Sequence, residues 1–455
     1  MTAGSAPSVR FDRSFYRQVL SIGAPIVIGH LISIGLNMVD TMMIGRVGVD
    51  ELAAVGAANR VYFIFIIICF GFFSGVGILT AQYWGIRDVV NIRRLTGLQY
   101  LFTIGLSLLT LSLTLLLTEG IMGLFSREPA VIGYGAEYLR IVLWSYPLAA
   151  LSCVISFNSR SIHRLAVPTV ISTLAVAANT FLNYCLIYGN FGLPEMGVRG
   201  AALATLIARA VEFVLMEAYV YLSDSHPLAG SPAQLLDIDR SLIKRAFSKA
   251  LPTTISEAAW SAGTSVYYVA FGMIGPGALA VAQVCSVVAD IFQVFFYGVG
   301  NACAVMIGNE LGRGHKETAY AYARHFLLIA FGLCLVMTGL FYLLLHPIVS
   351  FYRFDGPTSA LLYSSLLVYV IYTTPRNLCY TVMIGVLRAG GDASFCMILD
   401  LLGVWCLGVP LAFIGACLLH WQLPAVIALV YIEETIKMLI CMQRTHSRKW
   451  ASVLV

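Results

Sequence analysis

The sequence predicts an all-α integral membrane protein of about twelve transmembrane helices in two pseudo-symmetric six-helix bundles. Three observations lead there: the composition, the recurrence of apolar stretches long enough to cross a bilayer, and an internal repeat. Apolar residues make up 59% of the 455 and charged residues only 11%, too little polar surface to coat a water-soluble globule of this size. The solvent for most of the chain is therefore lipid.

A helix rises 1.5 Å per residue and needs roughly 20 mostly apolar residues to cross the hydrocarbon. Such stretches fall near 16–43, 53–82, 95–118, 130–157, 166–189 and 198–222 in the first half of the chain. In the second half they fall near 246–272, 278–307, 321–346, 359–386, 394–418 and 423–442. One such run could be a buried soluble helix, but a dozen in series argue for membrane spans. A closed β-barrel is excluded because its strands alternate over about ten residues.

The N-terminal segment carries Arg10, Arg13 and Arg17 with no apolar stretch of its own, which reads as a cytoplasmic lead-in and not a cleaved signal peptide. With that end in the cytoplasm, twenty of the 28 lysines and arginines, Arg388 and Lys437 among them, fall on the cytoplasmic side. Five (Arg46, Arg60, Arg127, Arg199 and Arg353) fall opposite, and Arg140, Arg209 and Arg376 remain inside helices. That asymmetry predicts a multi-pass protein of the plasma (inner) membrane with both termini cytoplasmic. The net charge of +5 is a topology signal and implies no nucleic-acid partner. The eleven cysteines are scattered without metal-ligand spacing and read as small buried thiols.

The hydrophilic connection at 223–245 separates an N-terminal half, 1–222, from a C-terminal half, 246–455. An offset of 227 superposes Ser21 on Ser248, Pro25 on Pro252, Gly45 on Gly272, Gly48 on Gly275, Gly71 on Gly298 and Gly85 on Gly312. An offset of 228 pairs Arg160 with Arg388. Each half holds an even number of spans, so the repeats insert in the same direction about an axis along the membrane normal, an arrangement that permits alternating access by rocking. Pro25 and Pro252 each remove a helix hydrogen bond and are candidate hinges, although many membrane prolines are static kinks.

Polar residues form stripes within the spans. His30, Ser33, Asn37, Asp40 and Thr41 recur at steps of three and four, which aligns them on one face of the first helix. Gln283, Ser286, Asp290, Gln293, Tyr297 and Asn301 repeat the pattern in the eighth, and Tyr369, Tyr372, Thr373, Arg376, Asn377 and Tyr380 in the tenth. Of these, His30, Asn37, Gln283, Gln293, Tyr297, Asn301, Tyr372 and Asn377 are candidate lining of a wet cavity. Asp40 is the sharpest signal, because a carboxylate near a helix centre costs about 2.5–3.5 kcal/mol to insert. Held away from bulk water, it suits a group that binds and releases a proton; with Asn oxygens around it, it could equally hold Na⁺. A helix-packing hydrogen bond is the bland alternative. Glu257, Asp290 and Asp400, with Arg376 as a possible neutralising partner, make a second candidate site in the C-terminal half.

Taken together, the runs SIGAPIVIGHLISIGLNMVDTMMIGRVGVDELAAVG, SGVGILTAQYWGIRD, GVRGAALAT, LPTTISEAAWSAG, GNACAVMIGNELGRG and GVLRAGGDASF resemble those of the multidrug and toxic compound extrusion (MATE) family over nearly the whole chain. The resemblance implies a MATE-like fold and a secondary transporter that exports lipophilic, often cationic compounds in exchange for H⁺ or Na⁺. By motif, the family's N-terminal cation site falls on Asp40, Asn179, Asn183 and Thr205. Asn183 resembles the NorM-type members, since the DinF-type branch usually has a second aspartate there. The expected protein is a monomer with no cofactor beyond its coupling ion. The alternative is a lipid-linked oligosaccharide flippase of the same superfamily, which would want a strongly cationic cavity. An enzyme is not expected, because G-x-S-x-G, H-E-x-x-H and Walker A patterns are absent.

Overall fold

In the computed structural model, which describes residues 11–352 and 354–455 apart from the side chains of Val49 and Pro276, the chain is helical and the described residues contain no strand. Arg10 and Arg353, both counted in the charge asymmetry, lie outside the described residues. The first half comprises α1 (Arg13–Gly45), α2 (Val49–Gly85), α3 (Val89–Leu116), a short α4 (Thr118–Phe125), α5 (Pro129–Val142), α6 (Ser145–Ser161), α7 (Ala166–Tyr188) and α8 (Gly197–Leu222). After the short α9 (Pro232–Leu236) come α10 (Arg240–Ile274), α11 (Pro276–Gly312), α12 (Lys316–Tyr352), α13 (Gly356–Tyr380), α14 (Ala393–Leu401), α15 (Val409–Phe413) and α16 (Leu423–His446).

Each of the twelve expected spans corresponds to one of these helices or to a short series of them. The fourth is α5 and α6 together, bent by 50°. Pro147 enters the first turn of α6, where its ring cannot continue the ladder from α5, and Ser145 Oγ donates to the freed carbonyl of Val142 at 2.6 Å. The tenth span continues from α13 through π-helical turns at Thr381–Arg388, and the eleventh alternates α14 and α15 with π turns at Leu402–Gly408 and Ile414–Leu418. Pro410 supplies no backbone N–H in that eleventh span, and wide turns lie on both sides of it.

Eight spans are apolar enough to cross a membrane by length and composition, counting the bent pair as one. The other four, α8, α10, α13 and α16, carry charges such as Glu212, Glu257, Arg376 and Lys437. In α12 the two requirements separate by face. Ala319, Ala323, Phe326, Ala330, Cys334, Met337, Phe341 and Leu345, at steps of three or four, are buried. Leu328, Phe331, Leu335 and Leu343 are exposed, as a lipid-facing row must be. Small residues dominate the start of the buried row, so neighbouring backbones approach closely, which is how helices associate where lipid is as apolar as leucine.

The residues gather into two compact units. One contains 28–80 and 88–246; the other contains 247–455 together with the N-terminal stretch through Val27 and the segment Ala81–Arg87. In the first unit the inter-half connection is folded onto α3. Ser231 and Gln234 form a reciprocal cap on α9, Arg94 pairs with Asp237, and Gly97 leaves room for the carbonyl of Leu235. α10 begins at Arg240, inside the stretch expected as linker. In the second unit α1 meets α11 at paired glycines: a Cβ on Gly23 would stand 3.2 Å from the carbonyl oxygen of Gly298, and one on Gly298 2.9 Å from that of Gly23.

Candidate ion-coupling site

Within the first unit, α1, α7 and α8 bring together the four residues assigned by motif. Asp40 lies in the penultimate turn of α1, Asn179 and Asn183 are one turn apart on α7, and Thr205 is on α8. Tyr188 at the end of α7 donates to the carbonyl of Met43 at 2.7 Å and fixes the two helices at this level. Thr180 Oγ1 donates to Asp40 Oδ1 at 2.9 Å. The Asn179 amide has two hydrogen-bonded orientations. With its nitrogen toward the carboxylate it donates to Asp40 Oδ2 at 2.9 Å, and its oxygen accepts from the backbone N–H of Thr205 at 3.2 Å. Turned over, its nitrogen donates to Thr205 Oγ1 at 3.3 Å and its oxygen accepts from Asn183 Nδ2 at 3.5 Å.

All the hydrogen-bond donors to Asp40 described here are neutral. No lysine, arginine or histidine forms an ion pair with it among the described residues. Asn183 is 3% exposed, and its Oδ1 has no hydrogen-bond donor. A carboxylate with neutral partners and a buried spare oxygen is a set that accepts a proton or a small hard cation. Thr180 was not singled out in the sequence because it lies between the two asparagines and carries no charge. Thr41, part of the α1 stripe, bonds its own backbone at Asn37 instead. His30 and Asn37 are exposed on α1.

The acids of the second unit are placed differently. Glu257 accepts from Arg388 at 2.5 Å, and Asp400 lies 3.5 Å from both Arg388 and Lys437. Ser256 joins them, accepting from Arg388 at 2.8 Å and donating to Asp400. Lys437 also pairs with Glu433 at 2.6 Å and Glu434 at 3.1 Å. Arg388, Asp400, Glu433 and Lys437 are all at most 4% exposed. Arg388 and Lys437, counted by the sequence on the cytoplasmic side, are buried counter-ions that tie α10, α14 and α16 to the end of the tenth span.

Asp290 stands apart from this cluster, 3.8 Å from Arg376. The four residues named for a second site therefore divide between two places. Arg376 also reaches the hydroxyl of Tyr431 at 3.4 Å, and Tyr372 stacks on that ring at 5.4 Å. Gln293, Tyr372, Arg376 and Asn377 line a cavity of roughly one water's volume. The side-chain oxygens of Gln293 and Asn377 are buried there without donors. Tyr297 packs on Tyr380, Asn301 Nδ2 donates to the carbonyl of Tyr297, and Gln283 is exposed. Pro25 and Pro252 sit inside unbroken helices.

The family model of MatE matches residues 25–185 and 252–414, beginning in each half at one of the two repeat-equivalent prolines. The chain belongs to the MatE family. This MatE protein is 26% identical over 401 residues to the multidrug resistance protein PmpM of Pseudomonas aeruginosa, covering 88% of this chain and 84% of that one. It is 28% identical over 411 residues to the probable multidrug resistance protein NorM of Bradyrhizobium diazoefficiens, covering 88% and 86%. Its fold matches a MATE transporter solved in the bent conformation, with a TM-score of 0.86 at 17% identity over 95% of this chain and 96% of that one. It also matches a mutant of the Vibrio cholerae MATE transporter VcmN, with a TM-score of 0.84 at 19% identity over 95% and 97%. The MATE-like architecture expected from the motifs is therefore the architecture of this chain.

Proposed function

We propose that this MatE protein is a secondary active multidrug antiporter of the plasma (inner) membrane, with both termini cytoplasmic, exporting lipophilic or cationic small molecules as H⁺ or Na⁺ enters. The observation that carries the reading is the coordination of Asp40. An acid kept in a membrane helix with neutral donors alone has not been neutralised by the protein, so its charge is available to an ion from solution. Glu257, Asp290 and Asp400, which all have basic partners, support this site by contrast.

The amide of Asn179 can serve either protonation state of Asp40. An ionised Asp40 accepts from the amide nitrogen, whereas a protonated one donates to the amide oxygen. Turning the amide changes what α7 offers to Thr205, which links the occupancy of Asp40 to the contact between α7 and α8. Transport follows by alternating access, with bodies built mainly from residues 1–222 and 246–455 rocking on the helix defects at Pro25 and Pro252. In support, α1 passes from one compact unit to the other two residues after Pro25.

The flippase alternative needs free cations for a pyrophosphate, and the three arginines that the sequence left inside helices are paired: Arg140 with Glu119, Arg209 with Glu212, Arg376 with Asp290. Efflux of an organic cation from proteoliposomes under an imposed pH gradient, and separately under an imposed Na⁺ gradient, tests the antiport reading and identifies the ion. Efflux indifferent to both gradients would overturn it.

A further inference from the structure

Residues 447–455 leave the end of α16 and cross back to the C-terminal end of α2. Trp450 is the anchor: it is 1% exposed, its Nε1 donates to the carbonyl of Thr445 at 3.1 Å, and its ring lies edge-on to Tyr320. The turn after the tenth span receives it. A Cβ on Gly390 would strike the Trp450 ring, Ser452 N donates to the carbonyl of Gly390 at 3.0 Å, and Lys249 Nζ holds the next carbonyl, that of Gly391, at 2.7 Å.

Beyond the anchor the strap grips one side chain. Gln82, in the last turns of α2, is fully buried. Its Nε2 donates to the carbonyl of Ser452 at 3.0 Å, and its Oε1 accepts from the backbone N–H of Leu454 at 2.8 Å. Both ends of one amide are thus bonded to the two successive peptide groups that flank Val453. Three residues on, Arg313 Nε donates to the terminal carbonyl of α2 at Gly85, 3.1 Å away. The far end of this segment is a folded anchor, and its near end is a pair of hydrogen bonds to a helix terminus. A static packing element would not need so local a grip.

We propose that the strap 450–454 is a latch on the inner, C-terminal end of α2, closed in the state described here and released when the transporter opens at that end. Gln82 is its catch. Trp450 stays seated while the two amide bonds break and re-form, so the latch sets the balance between the two access states without touching substrate or ion. Two neutral hydrogen bonds of ordinary strength bias such a balance by roughly tenfold.

The inference rests on the alternating-access reading, and the test separates the two. Spin labels on the inner ends of α2 and α11 report their separation in the full-length protein in lipid nanodiscs. Gln82→Leu removes the catch from the helix side, and Leu454→Pro removes the Leu454 N–H from the strap side. Gln82→Leu, which deletes both bonds, is expected to raise the long-distance population roughly tenfold, Leu454→Pro, which deletes one of them, by less, and the double variant no further than Gln82→Leu. Two distance populations that neither variant moves, or fully additive effects, would overturn the latch alone. A single distance under every ion and substrate condition would overturn the alternating-access reading and the latch with it. Should Gln82→Leu fail to fold, Leu454→Pro alone decides.

Discussion

Gly85 and Gly312, which the sequence repeat places in equivalent positions 227 residues apart, pack reciprocally where α2 and α11 cross: a Cβ on Gly85 would strike the carbonyl of Asn309, and one on Gly312 that of Gln82. Gln82 and Asn309 are themselves repeat equivalents. The contact therefore has repeat-equivalent residues on its two sides. Gly312→Val has nowhere to place its side chain without displacing the backbone of α2, and a cost of about 1–3 kcal/mol is expected. Thermal unfolding of the variant in detergent should show the corresponding fall in midpoint.

Asp40→Asn keeps the size of the side chain and supplies a neutral group to Thr180 and Asn179. The fold is expected to persist while gradient-driven efflux from proteoliposomes disappears. Unchanged efflux would remove the coupling role from this residue.

Arg388 neutralises two acids at once. Arg388→Met would leave Asp400 with Lys437 alone and Glu257 with no basic partner among the described residues, and stranding buried charge typically costs about 3–5 kcal/mol. The double variant Arg388→Met with Asp400→Asn should recover part of that loss in the same melting assay. Equal instability of the two would mean that packing, not charge, sets the effect.

Outside the spans, His226 in the connection after α8 has an acid-dependent role. Burial, with Arg164 nearby, pushes its imidazole down to about 4, and its Nδ1 accepts from Leu228 N at 3.3 Å, which requires that nitrogen to be unprotonated. The unfolded chain takes up this proton near pH 6.5, before the folded one does. Stability is therefore full above about 6.5 and falls as the pH drops toward 4, by on the order of 3 kcal/mol. Melting curves at pH 7 and pH 5 should diverge for the parent protein and converge for His226→Asn.

Much of the fold was legible because lipid imposes one length on every span and a duplication repeats its glycines and prolines in register. The approximate limits of the helices and the Pro25–Pro252 equivalence followed from those constraints alone. The acid at Asp40 was legible because it breaks an apolar run. Its partner Thr180 was not, since a threonine in a membrane helix gives no signal until a neighbouring helix is placed. The inward turn of Arg388 and Lys437 was not legible, because a basic residue near a span's end looks the same whether it reaches water or turns inward to a carboxylate. The wide turns at Thr381–Arg388 and Leu402–Gly408 add a second obstacle. Each shifts the residues beyond it around the helix axis, so three-and-four spacing no longer reports which of them share a face.

The counter-ion arrangement around Lys437 has an electrical consequence. Two bases, Arg388 and Lys437, face four carboxylates, Glu257, Asp400, Glu433 and Glu434, so the cluster carries a formal negative excess unless protons offset it. Helices that shift together with such a core carry that excess through the membrane field. The current that accompanies turnover then counts any such displacement together with the cargo and the ion proposed to bind Asp40.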